Sequence, residues 1–256
     1  MSPRLILFVS AIGTGLLLPS FGQTFSADQT FPYGPNTYRT EGVYTTGNIT
    51  FNDVAQKSGS PTYDVTPDFK ETTLTLSDLS EVEVFDICAE MFVGPTGSST
   101  YSVSEGFGPL TGSQESAARA LFSNAISEFV LARDTLVQDP DVVGVAIQIA
   151  YWEIVEDPVI TSNLSLDDLG AFPGDLSIVD FASGYSGVTA DAVSLAETYL
   201  ANVRSGTWTD QGGLTYYYAD ATGEQDRLWI TTGVIPEPSV ALLGLLGGVL
   251  LLRRRR

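Results

Sequence analysis

Histidine is missing from all 256 residues, and cysteine occurs once, as Cys88. Without histidine, Ser-His-Asp and Cys-His catalysis in their usual forms are excluded, and the commonest transition-metal ligand is absent. A lone cysteine is unusual in an exported chain, where thiols normally pair; it marks an intermolecular link or a reactive group. Basic residues are scarce as well, 12 Lys and Arg against 31 Asp and Glu. Five of the basic residues (Arg4, Arg253, Arg254, Arg255 and Arg256) and one acid (Glu237) lie in the two ends. The part between them therefore holds 7 basic and 30 acidic residues, a formal charge near −23. Such a surface repels nucleic acid, whose affinity comes largely from Lys and Arg on phosphate. It also repels anionic membranes and suits a soluble exported protein. No glycine-rich loop is present to cradle phosphate, and no cofactor or metal is expected.

What is present begins at the ends. The opening MSPRLILFVSAIGTGLLLPSFGQ has Arg4, an apolar run over residues 5–18, Pro19 and then small residues. That is the layout of a secretory signal, with cleavage expected after Gly22 and, as the alternative, after Ser26. The final VIPEPSVALLGLLGGVLLLRRRR carries Pro236-Glu237-Pro238, an apolar run over residues 240–252 and Arg253, Arg254, Arg255 and Arg256. The run is near spanning length once Val234 and Ile235 are added, and the arginines favour the cytoplasmic side. Motif, short apolar helix and arginine cluster together resemble the PEP-CTERM sorting signal of Gram-negative bacteria. That resemblance implies the general secretion machinery and an exosortase as partners. It also implies a transient hold in the inner membrane, then delivery to the cell surface or extracellular matrix. The expected organisation is a signal peptide over 1–22, an exported domain over 23–233 and a sorting signal over 234–256.

Residues 28–110 are rich in Thr, Ser, Gly, Tyr and Val with regular turn punctuation, and residues 81–94 (EVEVFDICAEMFVG) alternate best, predicting a strand. Val82, Val84, Asp86 and Cys88 would share one face of it, and Phe85, Ile87, Ala89 and Met91 the other. From Thr111 the period changes. Thr111 and Gln114 stand at capping-box spacing, and apolar residues then recur at helical spacing. Asp139-Pro140-Asp141 closes that helix and opens a second, running to about Glu156. Residues 170–187 read as loop, a third helix starts at Thr189, and aromatic strand material returns over 208–232. Strands, helices, then strands describe a single α+β domain with β material at both ends around three central helices.

The second helix contains VGVAIQIAYWEIV, residues 143–155, in which Gln148 is a single amide among apolar neighbours. A buried amide costs a few kcal/mol unless its partners are supplied. The spacing Gln148-Ile149-Ala150-Tyr151-Trp152, with Ile87-Cys88-Ala89-Glu90 upstream, resembles bacterial thioester domains of surface proteins. Ile147 stands where that family usually has threonine, and Tyr151 where it prefers an aliphatic residue. The resemblance implies an internal bond between the side chains of Cys88 and Gln148, with Ala150 and Trp152 completing the motif. In the plainer alternative, Cys88 is a core residue and Gln148 bonds backbone groups of the strand layer or lies on an exposed stripe.

Other groups are less specific. Asp139, Asp141, Asp167 and Asp168 lack the spacing of a calcium loop. Glu153, Glu156 and Asp157 suggest paired carboxylates for glycoside cleavage, which needs a separation that sequence does not show. Tyr216, Tyr217 and Tyr218 suit stacking on sugars or packing in a strand. The expectation is an exported, non-catalytic protein with a structural or adhesive role in envelope or matrix, its ligand an extracellular polysaccharide or a surface amine. The alternative is a thioester-type adhesion domain, and the least favoured is a carboxylate-dependent polysaccharide hydrolase.

Overall fold

Turn residues and alternation in the first half of the chain produce seven short strands before any helix. The computed structural model describes residues 23–28, 38–45, 49–53, 62–75, 81–91, 98–157, 164–166, 176–181, 188–221 and 225–232. The expected signal peptide and the sorting signal with Pro236, Glu237, Pro238 and Arg253 to Arg256 lie outside them. In chain order the elements are β1 (Gln23–Asp28), β2 (Tyr38–Thr45), β3 (Ile49–Asp53), β4 (Thr62–Val65), β5 (Asp68–Thr75), β6 (Glu81–Cys88) and β7 (Ser98–Glu105). Then follow α1 (Gly112–Thr135), α2 (Pro140–Glu156), β8 (Leu176–Phe181), α3 (Val188–Arg204), β9 (Thr215–Ala221) and β10 (Arg227–Thr231). Seven strands form one antiparallel sheet in the order β1-β7-β9-β10-β6-β5-β2, and β4-β3-β8 form a small second sheet. This is the expected α+β class. Among the described residues no helix is long and apolar enough to cross a membrane.

The helix signals act as their chemistry requires. The Thr111 hydroxyl accepts from the Gln114 N–H while the Gln114 side chain accepts from the Thr111 N–H, the reciprocal capping box. Gln114 also donates to the carbonyls of Ile154 and Val155, so the start of α1 ties down the end of α2. Asp139 caps α2 through the Asp141 N–H, with Pro140 in the first turn, where its missing N–H costs nothing.

Two features depart from the sequence reading. The strand expected over 81–94 ends at Cys88. Residues 170–187, read as loop, contain β8, which finds its hydrogen bonds on β3, more than a hundred residues upstream. A six-residue strand whose partner is that remote leaves only a weak local pattern.

Alternation places two clusters on the two faces of the large sheet. Phe69, Ile87, Leu228 and Ile230 face the helices, while Leu74, Val84, Tyr101, Val103, Tyr217 and Trp229 form the other cluster. Tyr216 and Tyr217 are both buried, so these two rings pack rather than offer a sugar platform. Helix α2 packs against α1, α3, β2 and β5, and every residue from Val142 to Ile154 is buried. A helix apolar on all sides belongs in such a position. Gly144 permits the approach: a Cβ there would sit 3.2 Å from the Cβ atoms of both Phe69 and Tyr44. Gly144→Leu is expected to lower unfolding free energy by about 1–3 kcal/mol through overpacking, measured by equilibrium urea denaturation. An unchanged midpoint would contradict this account of the helix–sheet contact.

Candidate functional site

The site forms where strand pairing runs out. β5 and β6 pair from Thr75↔Glu81 to Phe69↔Ile87, one residue short of Cys88. On the other side β10 continues, with Arg227 opposite Cys88 and the Ala89 N–H donating to the Asp226 carbonyl at 2.9 Å. Successive residues of a strand direct their backbone groups to alternate sides, so Cys88 turns its N–H and C=O toward the side where the β5 ladder has stopped. A buried, unmatched pair of backbone groups would be costly.

Gln148 of α2 supplies the missing partner. Its Oε1 accepts from the Cys88 N–H at 2.9 Å, and its Nε2 donates to the Cys88 carbonyl at 3.0 Å. The carboxamide thus plays the part of a neighbouring strand residue. One turn further on, the Trp152 indole Nε1 donates to the same carbonyl at 3.1 Å. The Gln-x-x-x-Trp spacing has a physical reason here, because residues four apart share one helix face and both reach one peptide unit. Ala150 is buried between them in sequence and contributes to packing alone. Gln148 has no exposed surface and Cys88 only 5 %.

The sulfur of Cys88 has different neighbours. The thiol donates to Asp68 Oδ1 (3.0 Å) or Gln225 Oε1 (3.1 Å), and Arg227 Nη1 lies 2.7 Å from Sγ. Arg227 is itself buried and pairs with Asp86 at 2.7 Å. Asp68 Oδ2 meets Lys70 Nζ at 2.6 Å. Burial pushes the Cys88 thiol far above its ordinary value; Arg227 opposes that shift, and Asp68 adds to it. Burial also works against charge on Asp68, but Arg227 and Lys70 outweigh it and hold the carboxyl below the ordinary 3.8. The resting site is therefore a protonated thiol beside a carboxylate and a guanidinium.

Sequence reasoning identified Cys88, Gln148 and Trp152, and the fold brings all three together. It missed Asp68, Lys70, Gln225 and Arg227. One signal was present: Asp86 on a face shared with Val82 and Val84 needs a cation, and the part between the two ends has few. Two of the other acidic candidates have structural tasks, and Asp167 and Asp168 lie outside the described residues. Asp139 caps α2, and Glu153, fully buried, accepts the Ser165 N–H at 3.3 Å. Among the described residues no group of three His, Cys, Asp or Glu is placed to hold a metal ion. A cavity of about 220 Å3 adjoins the strand end, walled in part by Ala89, Glu90, Phe107, Tyr151 and Tyr218.

No family model matches the chain, and no curated protein matches it. Some solved structures are similar. They include the N-terminal thioester domain of a surface protein from Clostridium perfringens (13 % identity, 76 % of this chain and 100 % of that one, TM-score 0.37). Two more are from Streptococcus pyogenes. One is the N-terminal thioester domain of fibronectin-binding protein SfbI (10 %, 73 % and 93 %, TM-score 0.39). The other is the N-terminal domain of the pilus tip adhesin Cpa (12 %, 75 % and 95 %, TM-score 0.37). Scores this low leave the functional reading to the geometry of the site.

Gln148→Leu keeps the bulk and removes both polar groups, orphaning the Cys88 N–H. A loss of about 1–3 kcal/mol in unfolding free energy is expected; a loss of a few tenths would show that the amide does not complete the sheet. The Asp68 shift gives a second expectation. A lowered folded-state value contributes stability above the ordinary 3.8 that is lost as pH falls through the lower value. The stability advantage of wild type over Asp68→Asn should accordingly be full at neutral pH and vanish on acidification, followed by urea midpoints across the acid limb. An advantage that persists in strong acid would contradict it.

Proposed function

We propose that this chain is an exported, surface-displayed adhesive domain in which the Cys88 and Gln148 side chains join as an internal thioester. The observation that carries the reading is the two-point contact of the Gln148 carboxamide with Cys88, at 2.9 and 3.0 Å, between two buried side chains. The Cys88 N–H polarises the Gln148 carbonyl in the sense that attack requires, as an oxyanion donor does. Attack of sulfur on Cδ forms Sγ–Cδ, breaks Cδ–Nε2 and releases ammonia. To do so, Sγ leaves its polar neighbours by rotation about Cα–Cβ. Exclusion of water then protects the acyl bond from hydrolysis. A primary amine on a target surface would attack Cδ, return the thiol to Cys88 and leave the protein covalently attached through Gln148. The event happens once per molecule, so the role is adhesion without turnover. The tail with Pro236-Glu237-Pro238 and Arg253 to Arg256 supports export, exosortase sorting and final placement at the surface or in the matrix.

One observation favours a second reading. The polar atoms of Gln148 are already satisfied by strand backbone, and the sulfur is bonded to Asp68, Gln225 and Arg227. In that reading Gln148 only completes the sheet, and the protein binds matrix polysaccharide non-covalently. The aromatic walls of the cavity beside Ala89 suit a sugar face.

Intact mass of the purified, unreduced chain separates the two. The thioester gives a mass short by one ammonia, restored by Cys88→Ala after allowance for the substitution. Full mass together with a freely titrating thiol would overturn the covalent reading.

A further inference from the structure

The Gln148 contact uses only the backbone of Cys88, and it leaves the sulfur's own surroundings without a purpose. A simple core thiol needs none of them, since cysteine packs as a small hydrophobe. Here Sγ lies 3.0 Å from a carboxylate oxygen and 2.7 Å from a guanidinium nitrogen, and the groups that fix those two are also in place. Asp86 holds Arg227 from the far side at 2.7 Å, and Gln225 Oε1 accepts from Arg227 Nη1 at 3.0 Å while its Nε2 donates to the Glu90 carbonyl at 2.9 Å. Lys70 holds the second oxygen of Asp68 and leaves the first on the sulfur.

We infer that Asp68 is the base that takes the thiol proton of Cys88 and that Arg227 stabilises the resulting thiolate until it turns toward Gln148. The inference rests on the internal-bond reading above. The proton passes from Sγ to Asp68 Oδ1, and the thiolate adds to Cδ. The carbonyl electron pair moves to Oε1, onto which the Cys88 N–H already donates. As that pair returns, the Cδ–Nε2 bond breaks with its electrons on nitrogen. The nitrogen takes up the proton held by Asp68, so neutral ammonia departs and Asp68 is a carboxylate again. Asp68 is the more exposed end of this path, its side chain retaining 22 % of its surface. Asp68 favours its charged form and Cys88 its neutral form, so the thiolate exists only during the step. The lone thiol is thereby kept unreactive until Gln148 is in position.

The test follows bond formation in the full chain, refolded from denaturant at several pH values, by the loss of ammonia in intact mass. Asp68→Asn should form the bond about 100-fold more slowly, the scale of a lost general base, and Asp68→Glu should recover part of the rate. A second readout uses chains carrying Gln148→Met, which cannot close the bond, and measures thiolate absorbance in the ultraviolet at one alkaline pH. There Asp68→Asn should raise the thiolate fraction by removing a negative neighbour, and Arg227→Gln should lower it, with Arg227→Lys restoring it. Because Arg227→Gln strands Asp86, the pair Asp86→Asn with Arg227→Gln carries the same comparison. More thiolate but slower bond formation in Asp68→Asn is the signature of a base, which a purely structural role would not produce. Bond formation in Asp68→Asn as fast as wild type, or a thiolate fraction indifferent to Arg227, would overturn the inference. A wild-type chain that keeps its ammonia overturns the internal-bond reading itself and with it the task of Asp68. The absorbance comparison then still decides whether Arg227 holds the sulfur's charge.

Discussion

The Cys88 peptide unit loses its β5 neighbour one residue after Phe69↔Ile87, and its buried N–H and C=O must still be paired. Gln148 does this from the centre of a helix with no other polar side chain between Val142 and Tyr151. To bring the amide to the strand end, α2 must be buried on every side and must approach the sheet closely at Gly144. Both conditions are met, the first by α1 and α3 and the second by a glycine over Phe69 and Tyr44. The capping contacts from Gln114 to Ile154 and Val155 fix the far end of the same helix.

The same strand end carries an unusual concentration of charge for a protein interior. Asp68, Lys70, Asp86 and Arg227 gather around one sulfur. Buried ion pairs rarely repay their desolvation when compared with apolar residues of similar volume. Their presence where the fold could use Val or Leu is in keeping with the chemistry proposed at the sulfur. The scarcity of cations makes the placement more telling. Of the few lysines and arginines between the two ends, two stand within reach of Cys88 or its carboxylate neighbour.

Much of this was legible from local signals. Thr111 and Gln114, Asp139-Pro140, and the helical periods after Thr111 and Thr189 define the three helices because caps and periodicity are short-range. The pairing of Cys88 with Gln148 was legible through the Gln-x-Ala-x-Trp spacing and the rarity of both groups. What was not legible depends on strand register. The end of the β5–β6 ladder, the arrival of Arg227 opposite Cys88 and the use of β8 by β3 join residues far apart in the chain. Register of that kind is set by the assembled sheet and leaves little trace in any single strand. Asp68 escaped notice for the same reason: in sequence it follows a turn proline, and only the fold sets it on the sulfur.

The account stands or falls on whether the Gln148 carbonyl is an electrophile or only a hydrogen-bond acceptor. Methylamine added to the unreduced chain, followed by fragmentation mass spectrometry and thiol titration, decides this directly. The account predicts a single methylamide on Gln148, with one thiol appearing at Cys88 for each label incorporated. An unlabelled Gln148 in a chain whose Cys88 already titrates freely would contradict it.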